Sequence, residues 1–375
     1  MRARLAAAAL ALALLLGGCA GAAAPAAAPA GEWKPERSLA LSYAENFSVD
    51  YYPGGYTLLS ISDGSRFLVA PEGAETPAGL DGDVVLLRRP VRNLYLAASS
   101  AMCLFDALDA LDSIRLSGTK EADWSIEPAR EAMREGRILY AGKYSAPDYE
   151  RILSEGCGLA VESTMINHAP EVKEKLEELG VPVLVEQSSY ESHPLGRTEW
   201  IKFYGALLGR EEQAERLFAQ QAAYLEEAAA GGDTGRTVAF FYISSGGYAV
   251  ARRSGDYVTK MIELAGGRYV FDNLGDPEKA TGTVALEMEQ FYATAKDADF
   301  IVYNSTVGGE LSSLDELLEK NELLRDFKAV REGNVWRTDQ DLYQQTTGLG
   351  LMVYDLNRML AGEDLDELHY LTRLQ

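Results

Sequence analysis

The chain has 375 residues and is 47% hydrophobic, enough to bury a large core and to make two domains. Its 57 acidic residues outnumber 35 basic ones, a formal net charge of −22, and such a surface repels nucleic acid and anionic lipid headgroups. Three widely spaced histidines, His168, His193 and His369, form no HxxxH or HExxH pair, so a dedicated zinc or manganese cage is poorly supplied.

The first elements are not part of a folded core. Met1–Arg4 is a short basic start, and Leu5–Leu16 is built only of Ala and Leu. Small residues follow, and then Cys19. Basic, apolar and small-residue regions in that order make a secretory signal, and the apolar run is too short for a comfortable membrane span. Leu16-Gly17-Gly18-Cys19 resembles the bacterial lipobox, whose cysteine is acylated and becomes the new N-terminus. The expected division is a signal peptide over 1–18 and a lipidated Ala/Pro-rich tether over 19–37. Runs of Ala, Pro and Gly offer no pattern that buries a core. Loss of Arg2 and Arg4 with the signal makes the mature part still more acidic.

Residues 38–82 read as a β-rich leader, with strands in "LALSY", "YTLLSIS" and "RFLVA" broken by Pro53-Gly54-Gly55 and Asp63-Gly64. From Asp83 short apolar strands alternate with amphipathic helices, which predicts a parallel sheet covered by helices. The strands are "DVVLLRR", "NLYLA", "SIRLSG", "RILYAG", "GLAVES" and "VPVLVE". The rhythm stops over 194–230, which is nearly all helical, with a break at Gly209. It then resumes with "TVAFFYI" and "YAVA" as strands and 284–298 as a helix. "DFIVYNS" is a strand, 313–330 is helical, "NVWRT" is a strand, and 347–362 is a closing helix. The fold class is therefore α/β: two Rossmann-like lobes joined by a single long helix. The first lobe with its leader spans 38–209, the bridge 210–232 and the second lobe 233–375. A faint internal repeat relates the helix opened by Glu150 and the strand "LAV" to the helix opened by Glu289 and the strand "FIV".

Catalytic motifs are missing from the sequence. There is no GxSxG elbow, Walker A run or metalloprotease helix. "GLGLMV" at 348–353 lacks the third glycine of a dinucleotide fingerprint and reads as helix packing. His193, between Glu191 and Pro194, reads as a helix-entry residue rather than an acid–base group. Cys103 and Cys157 either pair or remain separate thiols, and the reading favours two thiols.

Several stretches carry a family resemblance: "YESHPLGRTEWIKFYGALLGREEQA" at 190–214, "PDYERIL…GLAVE" at 147–162 and "KDADFIVYN" at 296–304. With the lipoprotein start and the two lobes, they resemble the substrate-binding proteins of ABC importers with a helical bridge. That family takes up ferric siderophores, haem and cobalamin. The resemblance spans roughly 90–360 and leaves the leader unexplained. It implies no catalysis and no resident cofactor. The ligand would be a ferric siderophore, haem or corrinoid. The partners would be a permease dimer with its ATPase, reached from an extracytoplasmic, lipid-anchored position. It also implies that one glutamate on each lobe meets a permease arginine, and residue-to-residue match gives Glu150 and Glu289, with Glu287 a neighbour of the second. A cleft should form from loops at the carboxyl ends of strands. Their aromatic and cationic residues make Trp124, Tyr144, Tyr190, Arg252 and Tyr343 the candidate ligand contacts. Two alternatives stay open: an enzyme on a related nitrogenase-like scaffold, which Cys103 and Cys157 alone would poorly supply with cluster ligands, and a receptor for zinc or manganese themselves.

Overall fold

The structure is a computed structural model that describes residues 33–275, 282–363 and 368–375. The signal region, Cys19 and most of the tether lie outside the described residues.

The leader strands Arg37–Ser38, Phe47–Tyr52, Tyr56–Ile61 and Arg66–Ala70 form a sheet in sequence order, and Val84–Arg88, expected in the first-lobe parallel sheet, is corrected: it joins this sheet as the fifth strand. The first four pair antiparallel, and the last runs parallel to Arg66–Ala70. The turn at Pro53–Gly55 needs positive φ at Gly54 (79°) and Gly55 (82°), which a side chain would resist. Phe47, Val49, Leu59, Phe67 and Val69 alternate onto the face that joins the main core. "LALSY" is not a strand: between Ser38 and Phe47 the chain leaves the sheet and crosses to a helix of the first lobe.

The first lobe has a wholly parallel sheet in the order Val183–Glu186, Leu159–Ser163, Leu94–Leu96, Ile114–Ser117, Leu139–Tyr140. The chain winds one way from Leu94–Leu96 through Leu139–Tyr140, then restarts on the other side of the central strand. Loops after Leu94–Leu96 and Leu159–Ser163 therefore diverge and leave a crevice at the carboxyl edge.

The second lobe has a mixed sheet. Thr237–Ile243, Phe300–Tyr303 and Val335–Thr338 run parallel, while Ala249–Arg252, Thr283–Leu286 and the late strand Leu371–Arg373 join antiparallel. Two expected helices are corrected. Residues 283–286 are a strand paired to 249–252, and only Met288–Ala295 is helical, because β-branched Thr283 and Val284 sit opposite a strand with free edge groups. Residues 313–330 break into Leu314–Lys320, a short 3-10 turn and Lys328–Glu332; Asn321 leaves helical geometry and caps the turn through Leu323 N–H.

Helix Pro194–Leu208 ends the first lobe, and after left-handed Gly209 (φ 73°) the bridge helix Glu211–Ala230 follows. The first is buried on nearly every side, so its apolar residues are not confined to a stripe. The second packs against it and against the closing helix Leu349–Ala361. Gly350 permits that approach, since a Cβ there would meet the Gln221 carbonyl oxygen at 2.1 Å. "GLGLMV" is thus a helix-packing surface. Cys103 and Cys157 are both free thiols.

Candidate ligand cleft

The crevice predicted by strand order is present. A cleft of about 290 Å³ is walled by Ser99, Ser100, Ser163, Thr164, Ser188 and Ser189 from first-lobe loops, and by Tyr257, Leu342, Tyr343 and Thr346 from the second lobe. Arg197 enters it from helix Pro194–Leu208. A second, wider depression of about 630 Å³ lies at the carboxyl ends of Thr237–Ile243 and Phe300–Tyr303, lined by Tyr242, Ser244, Ser245, Val307 and Lys320.

Arg197 is the most thoroughly positioned cation in the cleft. Its Nη2 donates to the Ser189 carbonyl (2.6 Å) and its Nε to the Glu191 carbonyl (3.1 Å). Its guanidinium lies 3.8 Å from the centre of the Tyr257 ring. Burial lowers its pKa from the ordinary arginine value. Burial raises the Tyr257 phenol although Arg197 and Arg252 both favour its ionised form. Across the cleft, the Tyr343 hydroxyl accepts from Asn304 Nδ2 (3.0 Å), and Arg252 stands behind the Tyr343 ring at 5.2 Å. Arg252 Nη1 is 3.5 Å from Asp256, while its Nε, Asn304 Oδ1 and Ser305 Oγ have no partner among the described residues. Unpaired buried polar atoms beside a cleft are groups a ligand can satisfy.

Two carboxyls border this region. Glu186 is buried and accepts from Ser188 N–H (3.1 Å) and Ser100 Oγ (3.2 Å); burial raises its pKa against those bonds and the Arg197 charge. Glu162, one residue before cleft-lining Ser163, points into the opposite face of the sheet and is 0% exposed. Neither of its oxygens has a partner among the described residues, and burial pushes its carboxyl up to about 8.

The sequence candidates separate in space. Tyr343 lines the cleft, and Arg252 backs it. Tyr190 is 48% exposed, and Tyr144 is half-buried at the tip of the hairpin Gly142–Lys143 with Ala146–Pro147. Trp124 is corrected: only 2% exposed, it packs in the core and donates from Nε1 to Ser117 Oγ (3.3 Å), so it presents no open face. Arg197 was missed because its helix reads as core; a lone arginine among residues that are otherwise apolar or buried was the available signal. Glu150 and Glu289 are both exposed on the first turns of Tyr149–Ser154 and Met288–Ala295, and neither makes an ion pair among the described residues. His193 caps helix Pro194–Leu208, its Nδ1 accepting from Leu195 N–H (3.1 Å), which agrees with the helix-entry reading. Among the described residues no group of three or more His, Cys, Asp or Glu side chains is placed to hold a metal ion.

Residues 104–342 match the family model for periplasmic binding proteins. The chain belongs to that family. It is 24% identical over 344 residues to the uncharacterized lipoprotein MJ0878 of Methanocaldococcus jannaschii, covering 84% of this chain and 79% of the relative. A second lipoprotein of that organism, MJ0872, is 26% identical over 311 residues, covering 80% and 77%. Among solved structures, the periplasmic haem-binding protein HutB of Vibrio cholerae superposes with a TM-score of 0.57 at 18% identity, covering 73% of this chain and 99% of that one. A possible iron-binding periplasmic solute-binding protein of Staphylococcus epidermidis gives 0.56 at 16% identity, covering 72% and 98%. These likenesses establish the two-lobed, helix-bridged fold of a periplasmic binding protein. The leader strands lie ahead of the part matched by the family model.

Proposed function

We propose that this periplasmic binding protein is the lipid-anchored capture component of an ABC importer and takes an iron chelate, haem or corrinoid from outside the cytoplasmic membrane. The observation that carries the reading is the inter-lobe cleft, where Arg197 and a belt of hydroxyls from the first lobe face Tyr343, backed by Arg252, from the second. Cations held on aromatic faces in a protein of net charge −22 favour an anionic, oxygen-rich ligand such as a ferric chelate or haem propionates. Among the solved relatives, a haem-binding protein, a possible iron-binding protein and a catecholate-siderophore-binding protein support that ligand class. Lipoprotein relatives support an anchor at Cys19. The long bridge resists bending, so lobe closure is small. Glu150 and Glu289 are the proposed contacts to a permease dimer with its ATPase.

Titration of the full-length chain in detergent, followed by tryptophan fluorescence, tests the ligand. Quenching by ferric citrate, a ferric catecholate siderophore, haem or cobalamin is expected, and none by zinc. Tight zinc binding with no response to the other four overturns the substrate class. Cys19→Ala is expected to move the protein from the membrane fraction to the soluble fraction; unchanged retention overturns the anchor.

A further inference from the structure

The leader reaches the cleft through two buried carboxylates. Glu199 is 0% exposed and accepts the backbone N–H groups of Ser42 (3.0 and 3.1 Å), Tyr43 (2.8 Å) and Ala44 (2.9 Å). Glu191, 1% exposed, accepts those of Glu45 (3.0 Å) and Asn46 (2.9 Å), and also Trp200 Nε1 (3.0 Å). Five successive leader amides therefore end on two side chains of the first lobe. The Tyr43 ring stacks on His193, the cap of helix Pro194–Leu208, at 4.4 Å. Gly196 admits this contact, since a Cβ there would meet the Tyr43 carbonyl oxygen at 3.0 Å.

The same turn holds Arg197. On a helix of 3.6 residues per turn, positions two apart differ by about 200°, so Glu199 and Arg197 leave on opposite sides. Leader and cleft thus grip one helical turn from opposite faces. A second link runs through one residue: the Glu191 carboxylate accepts from leader amides, and the Glu191 carbonyl accepts from Arg197 Nε. Thr198, between Arg197 and Glu199, donates to the Thr346 carbonyl of the opposite wall (2.8 Å).

We propose that the leader turn Ser42–Asn46 is a positioning element of the cleft: seated on Glu191 and Glu199, it fixes the helix turn that aims Arg197 at the ligand. This rests on reading the cleft as the ligand site. Tyr43 and Glu199 are positioning residues, and Arg197 is the group they place.

The test uses the full-length chain and two readouts. One is modification of arginines by phenylglyoxal, mapped by mass spectrometry, which needs no ligand. In Tyr43→Ala and in Glu199→Gln, Arg197 is expected to react at least tenfold faster, with Arg252 unchanged and Tyr43→Phe at the wild-type rate. General loosening would accelerate Arg252 as well, so equal acceleration of both, or no change at Arg197 in Tyr43→Ala, overturns the proposal. The other readout is affinity for ferric citrate, expected to fall at least tenfold in Tyr43→Ala and to be restored in Tyr43→Phe. If ferric citrate affinity stays at the wild-type value while Arg197 becomes reactive, the positioning role is overturned as a determinant of binding. If the wild-type chain binds neither ferric citrate nor haem but the Arg197 response is as expected, the ligand reading falls and the positioning of Arg197 by the leader stands.

Discussion

Two regions of the first lobe bury carboxylates in opposite ways. At the leader junction, Glu191 and Glu199 are saturated with backbone N–H donors, and Glu199 also pairs with buried Lys202 at 3.3 Å. Beneath the sheet, Glu162 has the same burial and no partner among the described residues. The first arrangement turns a costly buried charge into a fastener between segments about 150 residues apart in sequence, because each donor offsets desolvation. The second leaves the cost in place and is met by holding the proton. Burial alone thus says little about what a carboxylate contributes; its donors decide.

The comparison breaks first at its strongest point. Glu199→Ala strands the Ser42, Tyr43 and Ala44 amides and leaves Lys202 with exposed Glu215 (3.1 Å) as its remaining carboxylate partner among the described residues. Removing one member of a buried, hydrogen-bonded pair costs about 3–5 kcal/mol. Urea unfolding should show that loss, and a change below about 1 kcal/mol would mean that solvent replaces the clasp freely.

Glu162 gives the opposite sign and a pH signature. Its carboxyl titrates near 8 in the folded chain, against an ordinary value of 4.5. Below 4.5 both states are protonated and the residue contributes no pH dependence. Between 4.5 and 8 the unfolded chain loses the proton while the folded chain keeps it, so stability falls as pH rises. Above 8 both are ionised and the loss levels off. The slope is up to about 1.4 kcal/mol per pH unit, on the order of 5 kcal/mol in all. Glu162→Gln stays neutral throughout, so its stability should gain on wild type steadily from pH 5 to 8. Parallel curves for the two proteins would place Glu162 in contact with water or a donor.

The saturated junction also explains what was legible in the sequence. Alternating short strands and helices announce the lobes, and Pro194, Gly209 and the Ala/Glu-rich run announce the bridge, because these depend on local chemistry. The leader crossing was read as the strand "LALSY" because its apolar residues suit a strand; its N–H groups are instead used by glutamates far along the chain, which no local pattern reveals. Val284–Leu286 reads as part of a helix for a related reason: its strand partner is a hairpin arm, not a neighbour in sequence. The cleft was half legible. Strand ends locate Tyr343, and Arg252 behind it, but residue type alone cannot tell an open tryptophan from Trp124, whose indole is taken up by the core and Ser117. Arg197 hides in a helix whose burial comes from tertiary packing on several sides.

Exposed carboxylates complete the comparison and give the smallest expected effect on the fold. Glu150 and Glu289 have neither the donors of Glu199 nor the burial of Glu162, and no ion pair among the described residues engages them. Each stands on the first turn of its helix, where the helix dipole contributes only a few tenths to about 1 kcal/mol. Glu150→Ala with Glu289→Ala should therefore leave the melting temperature within a degree or two and ligand affinity unchanged. If the pair meets permease arginines, each contact alone is worth about 0–1 kcal/mol, since exposed ion pairs are screened. Two contacts on one rigid body act together: once one lobe is engaged, the other is held at high local concentration near its own subunit. Loss of both should then depress uptake much more than either single change, with binding intact. Uptake at the wild-type rate in the double variant would leave these two carboxylates as solvated helix starts. Loss of ligand binding would move them from the docking face to the cleft, whose lining residues do not include either of them.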